Sequence, residues 1–99
     1  MIQGPALMIR ALIGGSLERM PFFLLHHQHG ALECAAAFAA WQGFVSPLRK
    51  QLAASTCLVG GHAVWWRVEA ADRQAALALL PPYVAHRTDA IPVRCVQIP

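Results

Sequence analysis

The chain has 99 residues, of which 57% are hydrophobic and 13% charged, and a formal net charge of +3. This length makes one domain with a single core, more apolar and less charged than an average soluble domain. The positive charge comes from scattered Arg and a single Lys without a basic run, which argues against a nucleic-acid interface. The longest stretches free of Asp, Glu, Lys and Arg, 34–48 and 51–66, are too short and too interrupted by Gly and polar residues for a membrane span of about 20 apolar residues.

Residues 1–19 carry Gly4-Pro5 and Gly14-Gly15-Ser16 and no clean period. They read as a poorly packed N-terminal extension to a domain covering 20–99. It is either a translated upstream leader before a start at Met20 or a short amphipathic arm built on Leu7, Met8, Ala11 and Leu12. A signal peptide fits badly, because the start is not basic and Arg10 interrupts the segment.

The apolar run Pro21-Phe22-Phe23-Leu24-Leu25, continued to His27, predicts a first strand over 21–27 that reaches a sheet rim at His26-His27-Gln28-His29-Gly30. A helix is predicted over 32–52 from the stripe Cys34, Phe38, Trp41, Val45, Leu48 and Leu52. Gly43 should break it, and Ser46 should cap a new turn with Pro47 at its first position. A second strand over 55–59, a two-residue Gly60-Gly61 hairpin and a third strand over 62–69 follow. On that third strand Val64, Trp66 and Val68 share one face, and Ala63, Trp65, Arg67 and Glu69 the other. Asp72 caps a second helix running to Leu80, stopped by Pro81-Pro82, and a fourth strand covers 91–98.

The order β-α-β-β-α-β predicts an α+β, ferredoxin-like fold with a four-stranded antiparallel sheet in the order 4-1-3-2 and both helices on one face. The open face then needs cover, and the surplus of apolar residues points to a second copy of the chain, a two-fold homodimer. In this element order, together with the phrase Gly60-Gly61-His62-Ala63-Val64-Trp65-Trp66, the 80 or so residues from Met20 resemble the dimeric α+β-barrel superfamily. That group includes muconolactone isomerase-like enzymes, small monooxygenases and small nickel-binding proteins. The resemblance implies a dimer whose two sheets face each other. The Asn-Trp-His triad of haem-degrading members does not transfer, because this chain contains no Asn.

The fold brings the histidines to one end of the molecule. His27 and His29 share a strand face and, with His62 at the start of strand three, can offer imidazoles to one ion, with Cys34 as a further ligand. The expected cofactor is a divalent transition metal, nickel or zinc. Trp65 and Trp66 are candidates to line an aromatic ligand pocket, and His86 and Arg87 to hold an anionic ligand. The blander readings are rim histidines bonded to backbone, tryptophans in core and interface, and an exposed polar loop. Cys34 beside a rim His could be an activated thiol, but it also heads an apolar stripe and fits a core position. Cys57 and Cys95 read as small core residues on strands, and three thiols without CxxC spacing suit a reducing, cytoplasmic compartment.

Three functions compete: a homodimer that binds a metal or small ligand through the histidine rim, a cofactor-free isomerase or monooxygenase with a rim His as general base, and a non-catalytic dimerisation module.

Overall fold

The computed structural model describes residues 20–99, so the reading of 1–19 as an extension lies outside the described residues. Four strands, β1 (Phe22–Gln28), β2 (Ala54–Ser55), β3 (Ala63–Glu69) and β4 (Thr88–Val93), form one open sheet in the order β2-β3-β1-β4, every neighbour antiparallel. Three short helices complete an α+β fold: α1 (Cys34–Ala39), α2 (Arg73–Leu77) and α3 (Pro82–Ala85).

β1 alternates because its two faces meet different surroundings. Phe23, Leu25 and His27 are buried, whereas Phe22, Leu24 and His26 are half-buried. The cross-strand register sets Phe23, Leu25 and His27 opposite Val68, Trp66 and Val64 of β3, and Leu25 and His27 opposite Ala90 and Thr88 of β4. These residues make one inner face. Phe23, Leu25, Val68 and Ala90 pack there with Ala70, Ala76 of α2, Leu80 between α2 and α3, and Val84 of α3 as the core. Trp65, Arg67 and Glu69 of β3 take the other, outer face with His26 and Ile91.

The predicted long helix over 32–52 is corrected. A 3-10 turn (Ala31–Glu33) leads into α1, which is only six residues long. Its bonding then tightens: Trp41 N–H donates to the Phe38 carbonyl and Gln42 N–H to that of Ala39, and Gly43 ends the turn at φ 75°. Ser46 does cap the next turn. Its Oγ accepts from Leu48 N–H at 3.1 Å and donates to the Leu79 carbonyl at 2.7 Å, pinning the segment to the turn that follows α2. With the helix cut short, the apolar stripe is not a buried face: Trp41 and Leu48 reach the core, but Phe38, Val45 and Leu52 are exposed.

Strand two is likewise shorter than expected. β2 ends at Ser55, and Cys57–Val59 form a 3-10 turn, so the connection to β3 is a longer loop rather than a two-residue hairpin. Thr56 organises that loop. Its carbonyl accepts from Val59 and Gly61 N–H, and its Oγ1 accepts from Ala63 N–H at 3.1 Å. Gly61 lies so close to Thr56 that any Cβ there would overlap the Thr56 side chain. Cys57 is therefore half-buried in a turn and Cys95 exposed beyond β4; neither is a core strand residue.

Asp72 caps α2 as expected, its carboxylate accepting from Ala75 N–H at 2.8 Å. Pro82 then starts α3 rather than ending structure, a position where its missing N–H costs nothing. β4 begins three residues earlier than the predicted 91–98 and stops at Val93, where its partner β1 runs out at Phe22. Pro92 is tolerated because β4 is an edge strand. Arg67 and Glu69 form no ion pair among the described residues; the Arg67 guanidinium lies over the Phe22 ring at 4.3 Å. No described helix is long and apolar enough to cross a membrane.

Leu25 is completely buried at the centre of the core. Leu25→Ala is expected to destabilise the fold by about 2–5 kcal/mol, read from urea unfolding midpoints at unchanged slope.

Candidate metal centre

The antiparallel register does not stop at the end of β1. His29 N–H donates to the His62 carbonyl at 3.2 Å, so the two residues are cross-strand neighbours one step beyond the Gln28–Ala63 pair. On the other side Gln28 N–H donates to the Arg87 carbonyl at 3.0 Å. The chain then reverses through Gly30–Glu33, where Glu33 N–H donates to the Gly30 carbonyl and Gly30 N–H donates to the Glu33 carboxylate at 2.8 Å. The reversal sets Cys34, first residue of α1, against His29.

Six groups form a continuous hydrogen-bonded line. Val84 carbonyl and Thr88 Oγ1 lie 3.3 and 3.2 Å from His27 Nδ1. His27 Nε2 is 2.8 Å from His29 Nδ1, His29 Nε2 is 3.3 Å from Cys34 Sγ, and Cys34 Sγ is 3.2 Å from His62 Nδ1.

The partners set the proton positions. A carbonyl only accepts, and the Thr88 hydroxyl already donates its proton to the Val84 carbonyl at 2.7 Å. His27 Nδ1 must therefore carry a proton. His27 is only 2% exposed, and this burial holds its pKa below the ordinary value, opposing the contribution of the Val84 carbonyl; the nearby His29 and Arg87 lower it further. The neutral ring with Nδ1 protonated leaves Nε2 as an acceptor, so His29 Nδ1 is the donor between the two rings. The remaining nitrogen of His29, Nε2, then presents its lone pair to the sulfur of Cys34.

His29, Cys34 and His62 each offer one ligand atom, and these atoms lie within 4.8 Å of one another; all three residues are half-buried. A tetrahedral ion holding sulfur at about 2.3 Å and nitrogen at about 2.0–2.1 Å separates them by about 3.5 Å, close to the two sulfur–nitrogen distances here. The group can hold a metal ion once the thiol proton leaves and the His62 proton moves to Nε2.

The other residues picked from the sequence are placed as follows. His27 stands one step behind the group, bonded to His29 rather than converging with it. Trp66 is on the inner face, tilted against His27 at 6.5 Å and Trp41 at 5.9 Å between ring centroids. Trp65 is on the outer face, stacked on His26 at 4.9 Å, so the two tryptophans do not share a pocket. His86 is exposed at the end of α3. Arg87 is not free for an anion: its guanidinium bonds Glu33 at 3.1 Å, lies over the Tyr83 ring at 3.7 Å and donates to the Tyr83 carbonyl. This ties the reversal carrying Cys34 to α3.

Sequence reasoning missed Thr88, Val84 and Glu33. Thr88 would have emerged had strand four been started at the β-branched Thr88 instead of Ile91, since the register then places it opposite His27.

Comparison of the chain with protein-family models, with curated proteins and with solved structures gives no match.

The Glu33 carboxylate is held below its ordinary value of 4.5, first by the Gly30 N–H and then by Arg87. A depressed carboxylate pKa adds stability that is present above the unfolded-state value and lost as pH falls through the folded one. Glu33→Gln is therefore expected to lower stability at pH 7, and the gap to wild type should close as the pH is taken below about 4. Thermal unfolding of both proteins across that range checks the sign.

Proposed function

We propose that this chain is a small homodimeric protein that binds one divalent transition metal ion, zinc or nickel, through His29 Nε2, Cys34 Sγ and His62 Nδ1. The observation that carries the reading is the mutual approach of these three donor atoms to within 4.8 Å. The mixed thiolate and imidazole donors suit zinc, nickel or copper and disfavour magnesium or calcium. Three protein ligands leave a fourth position for water or a substrate atom. His27 supplies what ligating histidines commonly have, a partner on the second ring nitrogen that fixes tautomer and orientation.

The architecture belonging to this reading is a ferredoxin-like dimeric α+β barrel. The helices cover the inner face, and the outer face carries Phe22, Leu24, Trp65 and Ile91, with Ile91 41% exposed. On that face His26 Nε2 is buried with no hydrogen-bond partner among the described residues, a group that a second subunit can satisfy.

A second reading has its own observation. Cys34 Sγ, His29 Nε2 and the His27 ring that holds His29 Nδ1 form a nucleophile, base and orienting group in line. A cofactor-free enzyme would use His29 as its general base beside Trp66.

Titration with zinc is expected to show one ion per chain, and cobalt in its place should give a thiolate charge-transfer band that Cys34→Ser removes. Affinity should rise with pH, since binding releases the thiol proton. His27→Ala should weaken binding about 10–100-fold without changing the stoichiometry. Wild-type protein that takes up no metal, and whose Cys34 reacts with iodoacetamide faster than exposed Cys95 in a His29-dependent way, would favour the thiol reading instead. Trp65→Ala should weaken the dimer by about 2 kcal/mol or more, measured by sedimentation equilibrium.

A further inference from the structure

A cavity of about 510 Å³ opens on the inner side of the sheet, a size typical of small-molecule sites. Its wall is aromatic, with Phe38, Trp41 and Trp66, and one part of it is formed by His27 and His29. Among the described residues the charged ones on its lining are Arg49 and Lys50, with no Asp or Glu. Arg49 makes one long bond, from Nη1 to the Phe44 carbonyl at 3.4 Å, and neither cation is ion-paired among the described residues. Lys50 has a φ of 66°, the one positive value outside glycine among the described residues. That conformation is uncommon for a residue with a Cβ, and such outliers gather at ligand-holding sites. The cavity therefore combines flat apolar walls with two adjacent cations that no acidic side chain neutralises among the described residues.

We propose that this cavity binds an aromatic monocarboxylate. The ring system lies against Trp41, Trp66 and Phe38, where offset or edge contacts between rings add to area burial. The carboxylate meets Arg49, whose planar fork matches its two oxygens, with Lys50 as a second positive charge. The ligand thereby brings its ring toward His29, one of the proposed metal ligands, but its recognition does not depend on a metal: neither cation belongs to the His29, Cys34 and His62 group.

The test is calorimetric titration of the 99-residue chain with 2-naphthoate and with its neutral counterpart 2-naphthamide. One 2-naphthoate per chain is expected, with 2-naphthamide at least tenfold weaker. In the Arg49→Gln/Lys50→Gln double variant, which alters two exposed side chains, the two compounds should bind alike. Repeating the titration on Cys34→Ser separates this site from carboxylate ligation by a bound metal, and the preference for naphthoate should persist there. Equal binding of the two compounds by wild type, a preference that survives in the double variant, loss of naphthoate binding in Cys34→Ser, or no binding at millimolar concentration would each overturn the proposal.

Discussion

The register of β1 against its two neighbours is the constraint on which everything else rests. β1 is central, paired with β3 over seven residues and with β4 over six. Side chains alternate faces along a strand, so a slip of one residue would carry Leu25 out of the core and send His27 and His29 to the outer face together. The residues that hold the register are apolar and remote from the site: Phe23, Leu25, Val68 and Ala90, closed over by Ala76, Leu80 and Val84. Packing in the core thus selects which histidines face the thiol.

From that register follows the direction of the hydrogen-bonded line. Val84 is a core residue of α3, and its backbone carbonyl is the one member that can only accept. Each later group inherits its role: His27 donates at one nitrogen and accepts at the other, His29 does the same, and the lone pair of His29 Nε2 is left facing sulfur. A buried imidazole would be costly if charged or unpaired. Here it is neutral and bonded at both nitrogens, so burial carries little penalty and yields a fixed ring orientation in return. His26, one residue earlier on the outer face, lacks that arrangement, and its Nε2 has no partner among the described residues.

Much of this was legible before the structure. The strand ending in three histidines, the cap at Asp72, the turn at Ser46 and the face assignment of Trp65 and Trp66 all follow from local pattern, because each is decided within a few residues or by a period of two. The meeting of His29 with His62 needed only antiparallel pairing of β1 and β3. What failed were elements whose apolar pattern outran their tertiary support. The stripe from Cys34 to Leu52 has helical spacing, but α1 ends within two turns, and Phe38, Val45 and Leu52 stay exposed. The polarity of the site was not legible either. It depends on a backbone carbonyl and on Thr88, which are silent in a pattern of side-chain types until the register of β4 is known.

The same geometry bears on how a thiol and a metal compete for one place. As a free thiol, Cys34 donates to His29 Nε2 and accepts from His62 Nδ1, so its sulfur is held from both sides. A metal ion would replace the thiol proton on His29 and, once that proton has shifted to Nε2, the Nδ1 proton of His62. The His27–His29 bond survives either state unchanged, because His29 Nδ1 keeps its proton in both. A base catalyst has a different need: His29 must gain a proton at Nε2 and hold it as a cation. His27 Nε2 can accept from that cation, but His27 is a neutral ring whose burial opposes its taking a charge, and it brings no negative charge. Among the described residues no carboxylate bonds His29; the nearest acidic group in sequence, Glu33, is engaged by Arg87 and Gly30. A line ending on a neutral carbonyl stabilises an imidazolium less than one ending on a carboxylate, whereas it orients a neutral ligand just as well. The neutral partner that His27 offers His29 therefore favours the metal reading over the general-base one.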